Sequence, residues 1–140
     1  MRYWDASALV PLVVEGGPTE RVRGLLGQDP AIVTWAWTPV ELASAVERRT
    51  RAGELTREQR RTALDRFGRL GAAWDEVTDV LAVRRAALGV LARHPLRAAD
   101  AAQLGAALVV AGQDRTLEFV CLDDRLAEAA EREGLRPLPL

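Results

Sequence analysis

The sequence contains only one cysteine and one histidine, Cys121 and His94. A single cysteine excludes an internal disulfide, and the pair is too small for a zinc site built from thiolate and imidazole ligands. One histidine also excludes acid–base chemistry that needs two imidazoles. His94 stands directly before Pro95 and is interpreted as a polar residue of a loop. Carboxylates are therefore the first candidates for functional groups.

Long hydrophobic runs are absent as well. No apolar stretch reaches the eighteen or so residues that span a membrane, and the N-terminus lacks the basic and then apolar pattern of a signal peptide. We therefore expect a cytoplasmic protein that does not bind membranes. With 49% hydrophobic and 28% charged residues, the 140-residue chain has the composition of a soluble globular protein. Its length predicts one domain over residues 1–140.

Lysine is missing, so all 19 basic residues are arginines, and they are unevenly distributed. Residues 48–69 contain three acids and eight arginines, which are Arg48, Arg49, Arg51, Arg57, Arg60, Arg61, Arg66 and Arg69. Because the whole chain has a net charge of −1, the remainder is acidic. This asymmetry indicates a basic face beside an acidic one, although a solvated helix surface explains the same arginines equally well.

Hydrophobic periodicity and turn signals predict strands that alternate with helices. The predicted strands cover residues 2–5, 31–35, 74–78, 117–122 and 135–138, and the predicted helices cover 7–15, 18–28, 39–51, 56–70, 79–93, 98–112 and 123–133. The alternation predicts an α/β fold, a three-layer α/β/α sandwich with a central, mostly parallel sheet of four to five strands. The helix 98–112, "AADAAQLGAALVVAG", is apolar on nearly every side, which indicates a buried helix that approaches its neighbours closely.

Four carboxylates are expected to meet at one edge of this sheet. Asp5 ends the first strand, Asp123 follows the strand 117–122, and Glu41 and Asp100 lie in first turns of helices. In parallel α/β sheets the ligand site lies outside the carboxyl ends of the strands. Oxygen ligands suit Mg²⁺ or Mn²⁺, and a divalent cation would remove the repulsion among the four charges. The sequence therefore predicts a metal site formed by Asp5, Glu41, Asp100 and Asp123.

Each of these acids also has a purely structural interpretation. Negative charge in the first turn of a helix is favourable, which explains Glu41 and Asp100 without any ligand. Asp5 and Asp123 are good N-cap residues for the helices that follow them. Asp124 is an alternative to Asp123 as the ligand. The hypothesis of a site therefore depends on the joint placement of the acids.

Four stretches of the sequence resemble, in order, the motif blocks of PIN-domain ribonucleases. They are "YWDASALV", "VTWAWTPVELASAV", "LRAADAAQLGAALVVA" and "FVCLDDRLAEAAEREGL". The last two blocks are specific in combination, and the first two are weak on their own. The resemblance spans nearly the whole chain and is greatest to the VapC-type toxins of bacterial toxin–antitoxin pairs.

The resemblance implies a PIN-like fold, Mg²⁺ or Mn²⁺ bound by the acidic quartet Asp5, Glu41, Asp100 and Asp123, and cleavage of RNA. It implies three partners, namely an RNA substrate, a cognate antitoxin and a second copy of the chain. Ser7 matches a small hydroxyl residue two positions after the first acid. Two departures are Cys121, where threonine or serine is usual, and Gln103, where histidine is frequent. Cys121 is interpreted as a buried thiol of the strand, and Gln103 is expected to form a local hydrogen bond.

The sequence therefore predicts a ribonuclease in which Asp5, Asp100 and Asp123 hold the metal, while Glu41 holds a second ion or orients the water. One alternative is a non-catalytic PIN-like binding module. Another is a phosphatase similar to haloacid dehalogenases, but such a phosphatase requires a second acid two residues after Asp5, where this sequence has Ser7.

Several further residues have open interpretations. Trp35 and Trp37 are expected to pack in a core or a dimer, and stacking on RNA bases is the alternative. Arg97 is a candidate partner for a carboxylate or a phosphate. The arginines of residues 48–69 are equally suited to an RNA backbone and to an acidic antitoxin segment.

Overall fold

The computed structural model of the chain describes residues 1–114 and 116–140. Within these residues the strands are β1 (Arg2–Trp4), β2 (Ile32–Trp35), β3 (Asp75–Val77), β4 (Glu118–Val120) and β5 (Arg136–Pro137). The helices are α1 (Ala6–Val13), α2 (Thr19–Gln28), α3 (Thr38–Arg51), α4 (Arg57–Gly71), α5 (Val80–Arg93), α6 (Ala98–Ala111) and α7 (Asp124–Arg132). The predicted α/β class is therefore confirmed.

All five strands are parallel and lie in the order β3-β2-β1-β4-β5. The chain builds outward from β1 to β2 and β3 and then returns to the other side of β1 to form β4 and β5. The topological switch point therefore lies between β1 and β4, where Trp4 pairs with Val120. In doubly wound sheets this is the position at which a ligand crevice opens.

Alternation along the strands divides the core into two layers, one on each face of the sheet. Tyr3, Val33 and Phe119 belong to a core that includes residues of α5, α6 and α7. Their immediate neighbours Trp4, Ile32 and Val120 belong to a second core that includes residues of α1, α2 and α3. Both faces of the sheet are thus covered by helices, which is the three-layer sandwich expected from the sequence.

Local capping chemistry explains where the helices begin. Asp5, Asp79 and Asp123 are N-caps whose carboxylates accept backbone N–H bonds, and Thr56 forms a capping box with Gln59. Strand β4 ends at Val120 and is therefore shorter than the predicted strand 117–122. Cys121 is buried, as expected, but it lies just after the strand rather than in it.

Helix α6 packs very closely on α5. A Cβ added at Gly105 would lie 2.9 Å from the backbone nitrogen of Ala87 and 3.0 Å from the carbonyl oxygen of Val83. The close approach predicted for this small-residue helix is confirmed, because only a glycine fits at this point. Within the described residues, no helix combines the length and the apolar character needed to cross a membrane.

Candidate metal centre

The first two acids are brought together by the pairing of the two central strands. Asp5 directly follows β1, and Asp123 lies three residues beyond the end of β4. The backbone N–H of Asp5 donates to the carbonyl oxygen of Val120 at 3.0 Å, so the ladder continues to the carboxyl edge of the sheet. Both acids are therefore held at the switch point, and both also cap the helix that follows them.

Asp5 is a buried carboxylate, only 4% exposed. Its Oδ2 accepts the backbone N–H of Ser7 at 3.0 Å and also the Ser7 hydroxyl. The Ser7 Oγ in turn accepts the backbone N–H of Leu122 at 3.0 Å. Ser7 therefore connects the carboxylate of Asp5 to the loop that carries Asp123.

Glu41 is held by a side chain from the buried helix. It lies in the first turn of α3, and its Oε1 accepts a hydrogen bond of 3.0 Å from Nε2 of Gln103 on α6. Gln103 is fully buried. The prediction of a local hydrogen bond for Gln103 is wrong, because its partner Glu41 is 62 residues away on another helix.

A buried polar network fixes the orientation of Gln103. The Tyr3 hydroxyl donates to Gln103 Oε1 at 2.7 Å, and Gln103 Nε2 donates to Thr38 Oγ1 at 3.0 Å. Thr34 Oγ1 donates to the carbonyl oxygen of Trp4 at 2.7 Å, so the Thr38 hydroxyl is the donor in the 2.8 Å bond between the two threonines. Since Tyr3 occupies the amide oxygen, the amide nitrogen is the group that faces Glu41.

Electrostatics connects the four acids. Burial raises the pKa of Asp5, the bonds from Ser7 oppose the rise, and the charge of Asp100 adds to it. Burial raises the pKa of Glu41 to about 7. The hydrogen bond from Gln103 opposes this rise, and the charges of Asp5 and Asp100 add to it. Burial and then the charge of Asp123 raise the pKa of Asp100, while Arg97 opposes the rise. The four predicted acids therefore form one interacting group.

The donor chemistry of this group fits a hard divalent cation. All four candidate ligands are carboxylates, and within the described residues none of the four forms an ion pair with an arginine, the histidine or the N-terminus. The side chains do not form a closed ligand shell, since no three histidine, cysteine, aspartate or glutamate side chains of the described residues are arranged to hold one ion. Binding would therefore require rotation of the more exposed side chains, such as Asp123.

The departure at the fourth motif, Cys121, affects the loop that carries Asp123. Cys121 Sγ accepts the backbone N–H of Asp123 at 3.2 Å, so the thiol helps to shape the loop although it does not contact the carboxylate. Burial raises the pKa of the Cys121 thiol, which keeps it protonated. Asp123 Oδ1 accepts the N–H of Leu126 at 2.9 Å, whereas Asp124 is the first residue of α7.

The structure also shows where the tryptophans, His94 and Arg97 lie. Trp35 packs against the core, as expected, but Trp37 is 59% exposed. His94 caps the end of α5, and its Nε2 contacts Glu133 Oε1 at 2.7 Å. Arg97 directly precedes α6, and its charge opposes the rise in the pKa of Asp100, but the two form no ion pair among those of the described residues.

Sequence reasoning missed Tyr3, Thr34 and Thr38 as supports of the site. The available signal was polarity in apolar surroundings, as in "AIVTW" around Thr34. Their partners lie on other elements, so their role is visible only in the folded chain. No protein-family model matches the sequence, and no curated protein matches it significantly.

Proposed function

We propose that this chain is a metal-dependent endoribonuclease with a PIN-type fold, and that it acts as a VapC-type toxin. The observation that carries the proposal is the electrostatic coupling of the four carboxylates: burial raises the pKa of Asp5, Glu41 and Asp100, and in each case the charge of another of the four adds to the rise. The resemblance of the four sequence blocks to PIN-domain ribonucleases supports the same activity.

In this proposal Asp5, Asp100 and Asp123 hold Mg²⁺ or Mn²⁺, and Glu41 contacts a second ion or orients the water. When bound, such a cation supplies charge neutralisation for the phosphodiester and lowers the pKa of water. Asp5 is the most rigid of these ligands, because both hydrogen bonds from Ser7 fix its Oδ2.

Glu41 is the residue best suited to take a proton. Its Oε1 accepts the bond from Gln103, which leaves Oε2 as the oxygen that would accept a proton from the attacking water. In the metal-free chain burial raises the pKa of this carboxylate to about 7, and a cation held by Asp5 and Asp100 would lower it, which would keep Glu41 ionised and ready to accept the proton. The water would then attack phosphorus in line with the leaving oxygen.

The partners of the proposed toxin are RNA, a cognate antitoxin and a second copy of the chain. An interface is supported by the large apolar side chains that α5 exposes, which are Val80, Leu81, Leu88 and Leu91. A cytoplasmic location remains a prediction from the N-terminal sequence. Light scattering of the purified chain, alone and with a co-expressed antitoxin, tests both protein partners.

The decisive experiment is an RNA cleavage assay with Mg²⁺ or Mn²⁺, with and without a chelator, on the native chain and on Asp5→Asn. We expect both chelation and the substitution to abolish cutting. Asp65→Asn, an exposed aspartate on α4, is the matched control and should cut normally. Equal cleavage under all conditions would refute the mechanism.

The competing function is a non-catalytic PIN-like binding module. Thermal melting with added Mn²⁺ separates the two, because a ligand that binds only the folded state stabilises it by about 2.7 kcal/mol at 100 times its Kd. The proposed enzyme gains stability and Asp5→Asn does not. A binding module shows no gain with either chain.

A further inference from the structure

A cleft of about 400 Å³ opens between α1 and α3, and one of the four acids, Glu41, lines it. Ser7 and Val10 line it from α1, and Trp37, Glu41 and Arg48 line it from the start and the length of α3. Ser7 and Glu41 also belong to the candidate metal centre, since Ser7 binds Asp5 and Glu41 is one of the acids. The cleft is therefore continuous with the site.

Trp37 lies at this cleft with 59% of its surface exposed, and the neighbouring Val40 is 47% exposed. The indole has no stacking partner among the aromatic pairs of the described residues, which are Tyr3 with Phe119 and Phe67 with Trp74. An exposed aromatic ring in a cleft is a platform on which a nucleobase stacks, and such stacking tolerates any base.

Arg48 supplies the cationic end of the same cleft. It lies seven residues after Glu41 on α3, which corresponds to about 10 Å along the helix axis. The neighbouring carboxylate of Glu47 forms an ion pair with Arg60 and not with Arg48, with an Nη2–Oε1 distance of 2.6 Å. The guanidinium of Arg48 is exposed and forms no ion pair with any described carboxylate, so it is available to a phosphate.

We propose that this cleft binds one nucleotide of single-stranded RNA next to the cleavage site, with its base on Trp37 and a phosphate at Arg48. The inference rests on the proposed ribonuclease function and identifies where that substrate lies. Because about 10 Å of helix rise separates Glu41 from Arg48, we assign the phosphate at Arg48 to a neighbouring nucleotide and not to the bond that is cut. An acidic peptide is the competing occupant, but the exposed ring of Trp37 in the cleft favours a nucleobase.

The test is the fluorescence anisotropy of a labelled single-stranded RNA octamer, measured in chelator so that the RNA stays intact. Trp37→Ala should weaken binding roughly 5- to 100-fold, as expected for the loss of one base stack, and Trp37→Phe should retain most of the affinity. An octamer of abasic nucleotides should bind native chain and Trp37→Ala equally.

Arg48→Gln should reduce the slope of log affinity against log salt by about 0.7, the value for one lost phosphate contact on a single strand. Arg21→Gln, an exposed arginine on α2, is the control and should not alter the slope.

Two results would overturn the inference. One is equal RNA affinity for Trp37→Ala and the native chain. The other is a Trp37→Ala chain that loses affinity for a polyglutamate peptide but keeps its affinity for RNA, which would make the cleft a protein-binding site. These outcomes are independent of the cleavage assay, because a chain that binds RNA through Trp37 but never cuts it would refute only the ribonuclease.

Discussion

Gln103 on the buried helix donates a hydrogen bond of 3.0 Å to Glu41 on a different helix, although the two residues are 62 positions apart. The other groups of the amide are bound by Tyr3 and Thr38, so Gln103 has no alternative orientation that preserves all its bonds. Glu41 is thus positioned by a saturated polar network inside an otherwise apolar core.

Removing the Tyr3 hydroxyl should disturb this network. We expect Tyr3→Phe to lower the free energy of unfolding by about 1–2 kcal/mol, because the buried Gln103 oxygen loses its donor. Gln103→Leu should cost more, since it leaves the Tyr3 hydroxyl without its acceptor and Glu41 Oε1 without its donor. Urea unfolding of both single variants and the double variant measures the coupling. Strict additivity of the two losses would show that the residues do not act together.

Ser7 is expected to matter for stability as well as for the position of Asp5. Ser7→Ala removes the hydroxyl that binds Asp5 and leaves the N–H of Leu122 without its acceptor. We expect a loss of about 1–3 kcal/mol in urea unfolding. Ser44→Ala makes the same change at an exposed position of α3 and should stay within about 0.5 kcal/mol of the native chain. Equal effects of the two substitutions would contradict this role.

The raised pKa of Glu41 predicts a pH-dependent stability. In the unfolded chain Glu41 titrates near its ordinary value of 4.5, and in the folded chain near 7. The folded state therefore binds the proton more tightly, and stability falls as pH rises from about 4.5 to 7. After a discount for the partial exposure of Glu41, we expect about 1–2 kcal/mol. Unfolding in chelator between pH 5 and 8 measures this loss, and Glu41→Gln should reduce it. A profile unchanged by the substitution would assign the pH dependence to other groups.

Charge repulsion predicts that removing one acid stabilises the metal-free chain. At pH 8 Asp100→Asn should raise the melting temperature in chelator, because burial and the charge of Asp123 disfavour the ionised form more than Arg97 favours it. The same variant should lose the stabilisation by Mn²⁺. Asp124→Asn also changes an acid in a first helical turn, yet it should give no gain in chelator. No difference between these two melting curves would count against repulsion.

The close packing of α5 on α6 predicts opposite effects for two identical substitutions. Gly105→Ala should destabilise the chain by about 1–3 kcal/mol, because the new methyl group meets the backbone of Ala87 and Val83. Gly24→Ala on α2 meets no atom within 4 Å and should stabilise the chain by about 0.5–1 kcal/mol through helix propensity. Thermal or urea unfolding ranks the three chains, and a stabilising Gly105→Ala would mean that the helices separate easily.

Much of the fold was predictable from local signals. The aspartates before α1, α5 and α7 and the pair Thr56 and Gln59 mark helix starts in the sequence. The apolar runs predicted all five strands, although β4 ended at Val120, before the predicted boundary. Boundaries were less accurate than element types because the hydrogen bonds that end a strand involve a neighbouring strand.

The sequence alone determined the class of the fold and the identity of the four candidate acids, because periodicity, capping and the alternation of strands with helices are local properties. Only the tertiary structure decided that Tyr3 and Gln103 support Glu41, that Ser7 connects Asp5 to the loop of Asp123, and that Trp37 faces a cleft while Trp35 packs in the core. The physical reason is that these contacts join elements far apart in the chain. Strand order and helix orientation set which side chains meet, and those depend on the packing of the whole core.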